Sequence, residues 1–150
     1  MIVISEQREK DANATAYARR IQEQVAVLRR AGVPSSHITV VGASKGAAIA
    51  VLSSSLIQDP ELNFVLLGTC HPSVLEEWNR SGLRLYGNIL AIYDEADQQY
   101  SGSCEPLFEA SAGRGLGRHQ EIMLHVGTGH GILYKPLDEW ILPTLDWAGQ

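Results

Sequence analysis

Two periods of hydrophobicity alternate along the chain. Short, nearly unbroken apolar runs stand at Ile2–Ile4, Ile38–Val41, Asn63–Gly68, Asn88–Tyr93 and Glu121–Val126, and each reads as a strand. Between them, apolar residues return every three or four positions. Ala14, Tyr17, Ala18, Ile21, Val25 and Leu28 predict a helix over Asn13–Ala31, with Gly32 and Pro34 placed to end it. A second helix follows Val41 and runs to about Ile57, where Asp59-Pro60 stops it. Ser73-Val74-Leu75-Glu76 has the spacing of a capping box and opens a short helix through Trp78. Residues 105–112 read as a helix, Gly113–Arg118 as a flexible basic loop, and Pro136–Trp147 as a last helix that Pro143 should break or kink.

Strands apolar on both faces, separated by helices, predict an α/β fold: a mostly parallel sheet of about five strands flanked by helices, in one domain over residues 1–150. Sites in such sheets form at the carboxyl ends of the strands. Three loops expected at that rim carry polar residues of useful chemistry, and they hold Ser44, Asp97 and His130.

The densest signal is Gly42-Ala43-Ser44-Lys45-Gly46, a G-x-S-x-G set between a β-branched run and a small-residue helix. A chain that reverses there lifts one hydroxyl above the sheet and brings positions 42 and 46 together, where glycine removes the clash. It also aims the first free N–H groups of the helix at that hydroxyl, where a developing oxyanion would sit. The competing reading is an ordinary glycine-rich strand-to-helix turn of a nucleotide-binding fold. No G-x-x-x-x-G-K-[ST] or G-x-G-x-x-G follows the first strand, which weighs against it.

A serine hydroxyl needs a base, and the base needs an orienting partner. His130 is flanked by Gly129 and Gly131 after the last strand, free to reach across the rim. His125 is the rival, read as lying inside the strand and facing the core or a helix, while His37, His71 and His119 read as loop residues. For the acid, Asp94, Glu95 and Asp97 all follow Tyr93; Asp97 lies beyond the first tight turn and is preferred, with Asp94 and Glu95 left as alternatives.

Composition narrows the classes. Hydrophobic residues make up 45% of the 150 and no run is long enough to cross a bilayer, so a membrane-spanning role is not expected. The net charge of −5 gives no reason to expect a nucleic-acid partner. The first residues lack the apolar core of a signal peptide, and Cys70 and Cys104 are then expected to be free thiols in a cytoplasmic protein.

GASKG, the acid loop IYDEAD and the final GTGHGILYKPLDEW, in that order, resemble the α/β-hydrolase family over nearly the whole chain. The resemblance implies Ser44 as nucleophile, His130 as general base and then acid, Asp97 as orienting carboxylate and the Lys45 N–H as an oxyanion donor, with no metal or organic cofactor. It implies hydrolysis of small or soluble esters or thioesters, since Thr69–Gly87 has room for one small helix and no lid domain. Cys70 and His71 are candidate pocket residues. Trp78 reads as packing, and Arg114 and Arg118 as a solvated loop.

Two departures from the family stand out. The strands expected before the first run, and the loop bearing the second oxyanion donor, are not seen in this sequence. If the Ile2–Ile4 strand lies directly beside the next, a backbone N–H of the Ser5-Glu6-Gln7 loop, Gln7 foremost, replaces that donor. One face of the sheet is left to the C-terminal helix alone, which predicts a homodimer burying that face, or else a fragment of a longer hydrolase. The alternatives are haloperoxidase- or lyase-like chemistry on the same fold, a non-catalytic binding or assembly module, and a flavodoxin-like nucleotide binder.

Overall fold

The computed structural model describes residues 1–5 and 7–150. Its centre is a four-stranded, all-parallel sheet with strands in chain order, β1 (Thr39–Ala43), β2 (Asn63–Leu67), β3 (Gly87–Asp94) and β4 (Leu116–Leu124). Ala43 pairs with Leu67, Leu67 with Ile92 and Asp94 with Leu124, so all four carboxyl ends reach one rim.

Five α-helices pack on this sheet: α1 (Ala14–Arg30), α2 (Lys45–Ile57), α3 (Pro72–Arg80), α4 (Glu105–Ser111) and α5 (Asp138–Ala148). Alternate strand residues separate two cores. Phe64, Leu66, Ile89 and Ala91 face Val25 of α1, Ala47, Ala50 and Val51 of α2, Trp78 of α3, and Leu107 and Phe108 of α4. Val65, Leu67, Leu90 and Ile92 face Ile132 and Trp147 on the other side. That second core rests on α5 and on a 3₁₀ turn over Gly129–Tyr134.

The sheet has four strands where about five were expected. Ile2, Val3 and Ile4 are exposed and unpaired, at 92%, 78% and 59% of full exposure. Ile2 and Ile4 nevertheless lie beside β1, where they line a groove of about 410 Å³ with Ile21, Val25, Val40 and Val41. Three residues offer few ladder bonds against the entropy of ordering them.

The last strand starts at Leu116, inside the stretch expected to be a loop. It is an edge strand, and the exposed Arg118, His119 and Gln120, on both of its faces, hide the apolar period. Asn88 Oδ1 anchors it by accepting from the Arg118 N–H at 3.0 Å. The guanidinium of Arg118 lies 3.8 Å from the Trp147 ring centre, so this side chain covers α5 instead of a mobile loop. Helix α5 runs unbroken through Pro143, against the sequence expectation. Trp147, just over a turn beyond the proline, is buried against the second core, and that packing offsets the lost hydrogen bond. Among the described residues, no helix is long and apolar enough to cross a membrane.

Candidate active site

Each strand hands the chain to a loop at the carboxyl rim, and three of those loops meet. Ser44 follows β1 directly and sits at φ 54° and ψ −120°, a region a side-chain-bearing residue enters only under constraint. Its N–H donates to Leu67 O at 2.8 Å, which ties the turn to β2. A Cβ on Gly42 would lie 2.1 Å from Gly46 O, so the turn closes only over glycine there. Gly46 differs from expectation: a Cβ on it meets open space. Only the first glycine of the pair is demanded by crowding.

The acid loop leaves β3. Asp97 N–H donates to Asp94 O at 2.9 Å, and the Tyr100 N–H donates to Asp97 Oδ1 at 3.3 Å, folding residues 97–101 into a tight bend. Asp97 Oδ2 accepts from His130 Nδ1 at 2.5 Å and also from the Ser101 hydroxyl. A carboxylate can only accept, so the imidazole carries its proton on Nδ1 and Nε2 is left to face Ser44 Oγ at 2.8 Å. The Asp97 side chain is 4% exposed and that of His130 is 17%. The imidazole sits over an almost dry carboxylate while its outer edge remains reachable.

Asp94, the first alternative acid, serves the histidine loop. It is buried; its Oδ2 accepts from the Gly129 N–H at 2.9 Å, and its Oδ1 accepts from the N–H groups of Gly127 and Ala96 at 3.4 Å. Gly129 has φ +57°, and a Cβ there would come within 3.3 Å of Ala96 O, so the two loops touch backbone to backbone. Glu95 faces solvent and pairs with His125 at 2.7 Å. His125 is therefore an exposed partner of Glu95, where the sequence suggested a core or helix-facing residue. His119 is on β4, its ring 4.9 Å from that of Phe108, instead of in a loop.

The free-thiol expectation is overturned. Cys70 and Cys104 form a disulfide with Cα atoms 5.2 Å apart, and among the described residues no cysteine is free. Cys70 is fully buried, so its sulfur does not line the rim. His71 caps α3, its Nδ1 accepting from the Ser73 N–H at 3.3 Å. Trp78 is buried in the larger core.

Lys45 opens α2, where its amide has no partner within the helix. Its ammonium reaches Lys10 O at 3.5 Å. Gln7 lies in exposed coil, and the Ser5-Glu6-Gln7 loop includes Glu6, which lies outside the described residues. Arg8, next along, lines a cleft of about 240 Å³ with Gly42, Ala43 and Gly46.

Two residues that matter to this geometry carried no sequence signal. Ser101 stands in an unremarked SGSC stretch, and Tyr100 packs its ring 4.8 Å from that of His130, tilted by 45°. Tyr93, one residue before Asp94, has its hydroxyl pushed up from its usual range by burial first, then by the charges of Glu121 and Glu95. Among the described residues, no group of three His, Cys, Asp or Glu side chains is gathered as a metal-binding set.

The arrangement can pass a proton from a hydroxyl to an imidazole whose cation is stabilised by a buried carboxylate. No protein-family model and no curated protein matches the chain.

Proposed function

We propose that the protein is a serine hydrolase of the α/β-hydrolase type, cleaving carboxylic esters, and thioesters of similar size, of small or soluble acyl groups. The observation that carries this reading is the continuous relay Ser44 Oγ, His130 Nε2, His130 Nδ1, Asp97 Oδ2, with spacings of 2.8 and 2.5 Å, raised on a strained strand-to-helix turn.

In the proposed reaction His130 Nε2 takes the Ser44 proton as Oγ attacks the ester carbonyl. Asp97 stabilises the imidazolium, and the Lys45 N–H, at the positive end of α2, donates to the oxyanion. Collapse breaks the ester bond, and the proton on Nε2 goes to the leaving alkoxide or thiolate. Water then repeats the sequence on the acyl-enzyme and frees the acid. A second amide from the Gln7 loop completes the oxyanion site in this reading, which the cleft that Arg8 lines with Gly42 and Ala43 supports.

A fluorophosphonate probe and a series of p-nitrophenyl esters of increasing acyl length test the proposal. Labelling and hydrolysis should be present in the native protein and lost in Ser44→Ala and His130→Ala. A native protein that neither labels nor hydrolyses sinks it, and leaves the non-catalytic binding module, which the exposed position of Gln7 favours.

Two further readings accompany it. The buried Cys70–Cys104 cross-link suits an oxidising compartment better than the cytoplasm expected from the first residues. Alkylation of the natural protein without reductant, adding no mass, checks this. The homodimer was expected on the sheet face left to the C-terminal helix; the exposed Ile2, Ile4 and Val41 beside the unpaired edge of β1 favour that edge as its surface instead. A monomer at all concentrations in sedimentation would refute that.

A further inference from the structure

We propose that Ser101 is a positioning residue for the Asp97–His130 pair, its hydroxyl fixing which way the Asp97 carboxylate faces. The inference rests on the hydrolase reading for its catalytic consequence, though not for its geometric one.

The terminal torsion of an aspartate is broad, so one donor does not fix the carboxylate plane. In Asp97 the Tyr100 N–H holds Oδ1 at a long 3.3 Å. The other oxygen has to face His130 Nδ1, and the Ser101 hydroxyl donates to that same oxygen. With Oδ2 held from two directions, rotation about Cβ–Cγ breaks both of its bonds at once.

The hydroxyl is itself anchored from outside the acid loop. Ser101 is buried and forms an isolated antiparallel bridge with Cys70. The Gly102 N–H donates to Thr69 O at 2.9 Å, and the Cys70–Cys104 disulfide closes the same junction. Ser101 therefore refers the acid loop to the end of β2, beside Gly68, where an added Cβ would lie 3.4 Å from His130 Cε1 and 3.3 Å from Ser101 Oγ.

Two readouts on the full chain test the role. The first is the imidazole Nδ1–H proton resonance of His130, which needs no turnover. It should be far downfield in the native protein and in Ser101→Thr, which keeps the hydroxyl, and broadened or moved upfield in Ser101→Ala. The second is the rate of fluorophosphonate labelling, expected to fall on the order of tenfold in Ser101→Ala, the scale of losing an outer partner that orients a functional side chain. With an ester substrate, kcat should fall while KM stays. In a cycle with Asp97→Asn the two losses should not add, because Ser101 acts through Asp97. An unchanged resonance and labelling rate in Ser101→Ala, a Thr variant that behaves like the Ala variant, or fully additive losses would overturn the proposal. Should Ser101→Ala fail to fold, Ser101→Gly is read by the same criteria. A native protein that is not labelled refutes the hydrolase reading alone, and the resonance still decides the role of Ser101.

Discussion

The Ser44 turn and the paired loops of Asp97 and His130 reach the same rim by different means. The turn is built within five consecutive residues: β1 feeds it, α2 receives it, and the Gly42–Gly46 contact closes it. The loops are built from parts that are 33 residues apart in sequence, Asp97 and His130, joined side chain to side chain across that gap. Asp94 holds the Gly129 N–H, and the disulfide and Ser101 tie the acid loop to β2. A local device tolerates change outside its five residues. A long-range device depends on several distant contacts, each of which is a place to damage it.

Perturbations should therefore separate the two regions. The largest effect is expected from Asp97→Asn, which preserves shape but favours the wrong imidazole tautomer. In the proposed reaction, ester turnover should fall by about 10⁴, equivalent to about 5 kcal/mol, with the melting temperature nearly unchanged. A variant within tenfold of native turnover would remove Asp97 from the relay.

Next is the cross-link. It closes a loop with a sequence separation of 34, so Cys70→Ala/Cys104→Ala should lose about 4 kcal/mol of stability in a denaturant titration. The disulfide also ties the acid loop to the end of β2, so labelling of the still-folded variant should slow while the Ser44 turn itself persists. An unchanged denaturation midpoint would show that the cross-link adds nothing.

Asp94→Asn should cost about 2 kcal/mol, since it removes a buried charge that accepts from Gly129 and places an amide donor against N–H groups. The thermal midpoint and the labelling rate should fall together. Labelling lost without a change in stability would recast Asp94 as a participant in the chemistry.

The glycines of the turn should respond unequally, and Gly46 gives the smallest effect of all. Gly42→Ala must push the backbone at Gly46 aside and should cost roughly 1–3 kcal/mol. Gly46→Ala fills open space in the first turn of α2 and should be neutral or stabilising by less than about 1 kcal/mol. Equal losses in the two variants, measured by denaturant midpoint, would contradict the one-sided crowding.

How much of this was legible in the sequence follows the same divide. The parallel α/β class, the helix over residues 14–30 and the strand-turn-helix around Ser44 could be read because each is written in contiguous residues with a clear period. Between Asp94 and Asp97 the sequence only favoured Asp97 and left Asp94 open. Both follow Tyr93, and only the position of the Gly129 amide and of His130 Nδ1 gives them different partners. The edge strand β4 was read too short because its solvent side carries charges that break the apolar pattern. The run at Ile2–Ile4 was read as a strand because it is apolar, yet composition does not supply a pairing partner.

By itself the sequence determined the order of the elements, the class of the sheet and the place of the Ser44 turn, because hydrophobic period and glycine placement act over a few residues. Tertiary structure alone decided that Cys70 meets Cys104, that Ser101 holds Asp97, and that β1 is left as an open edge. Those outcomes depend on which loops converge at the rim, and convergence is set by the stacking of the whole sheet, which no short stretch of chain encodes.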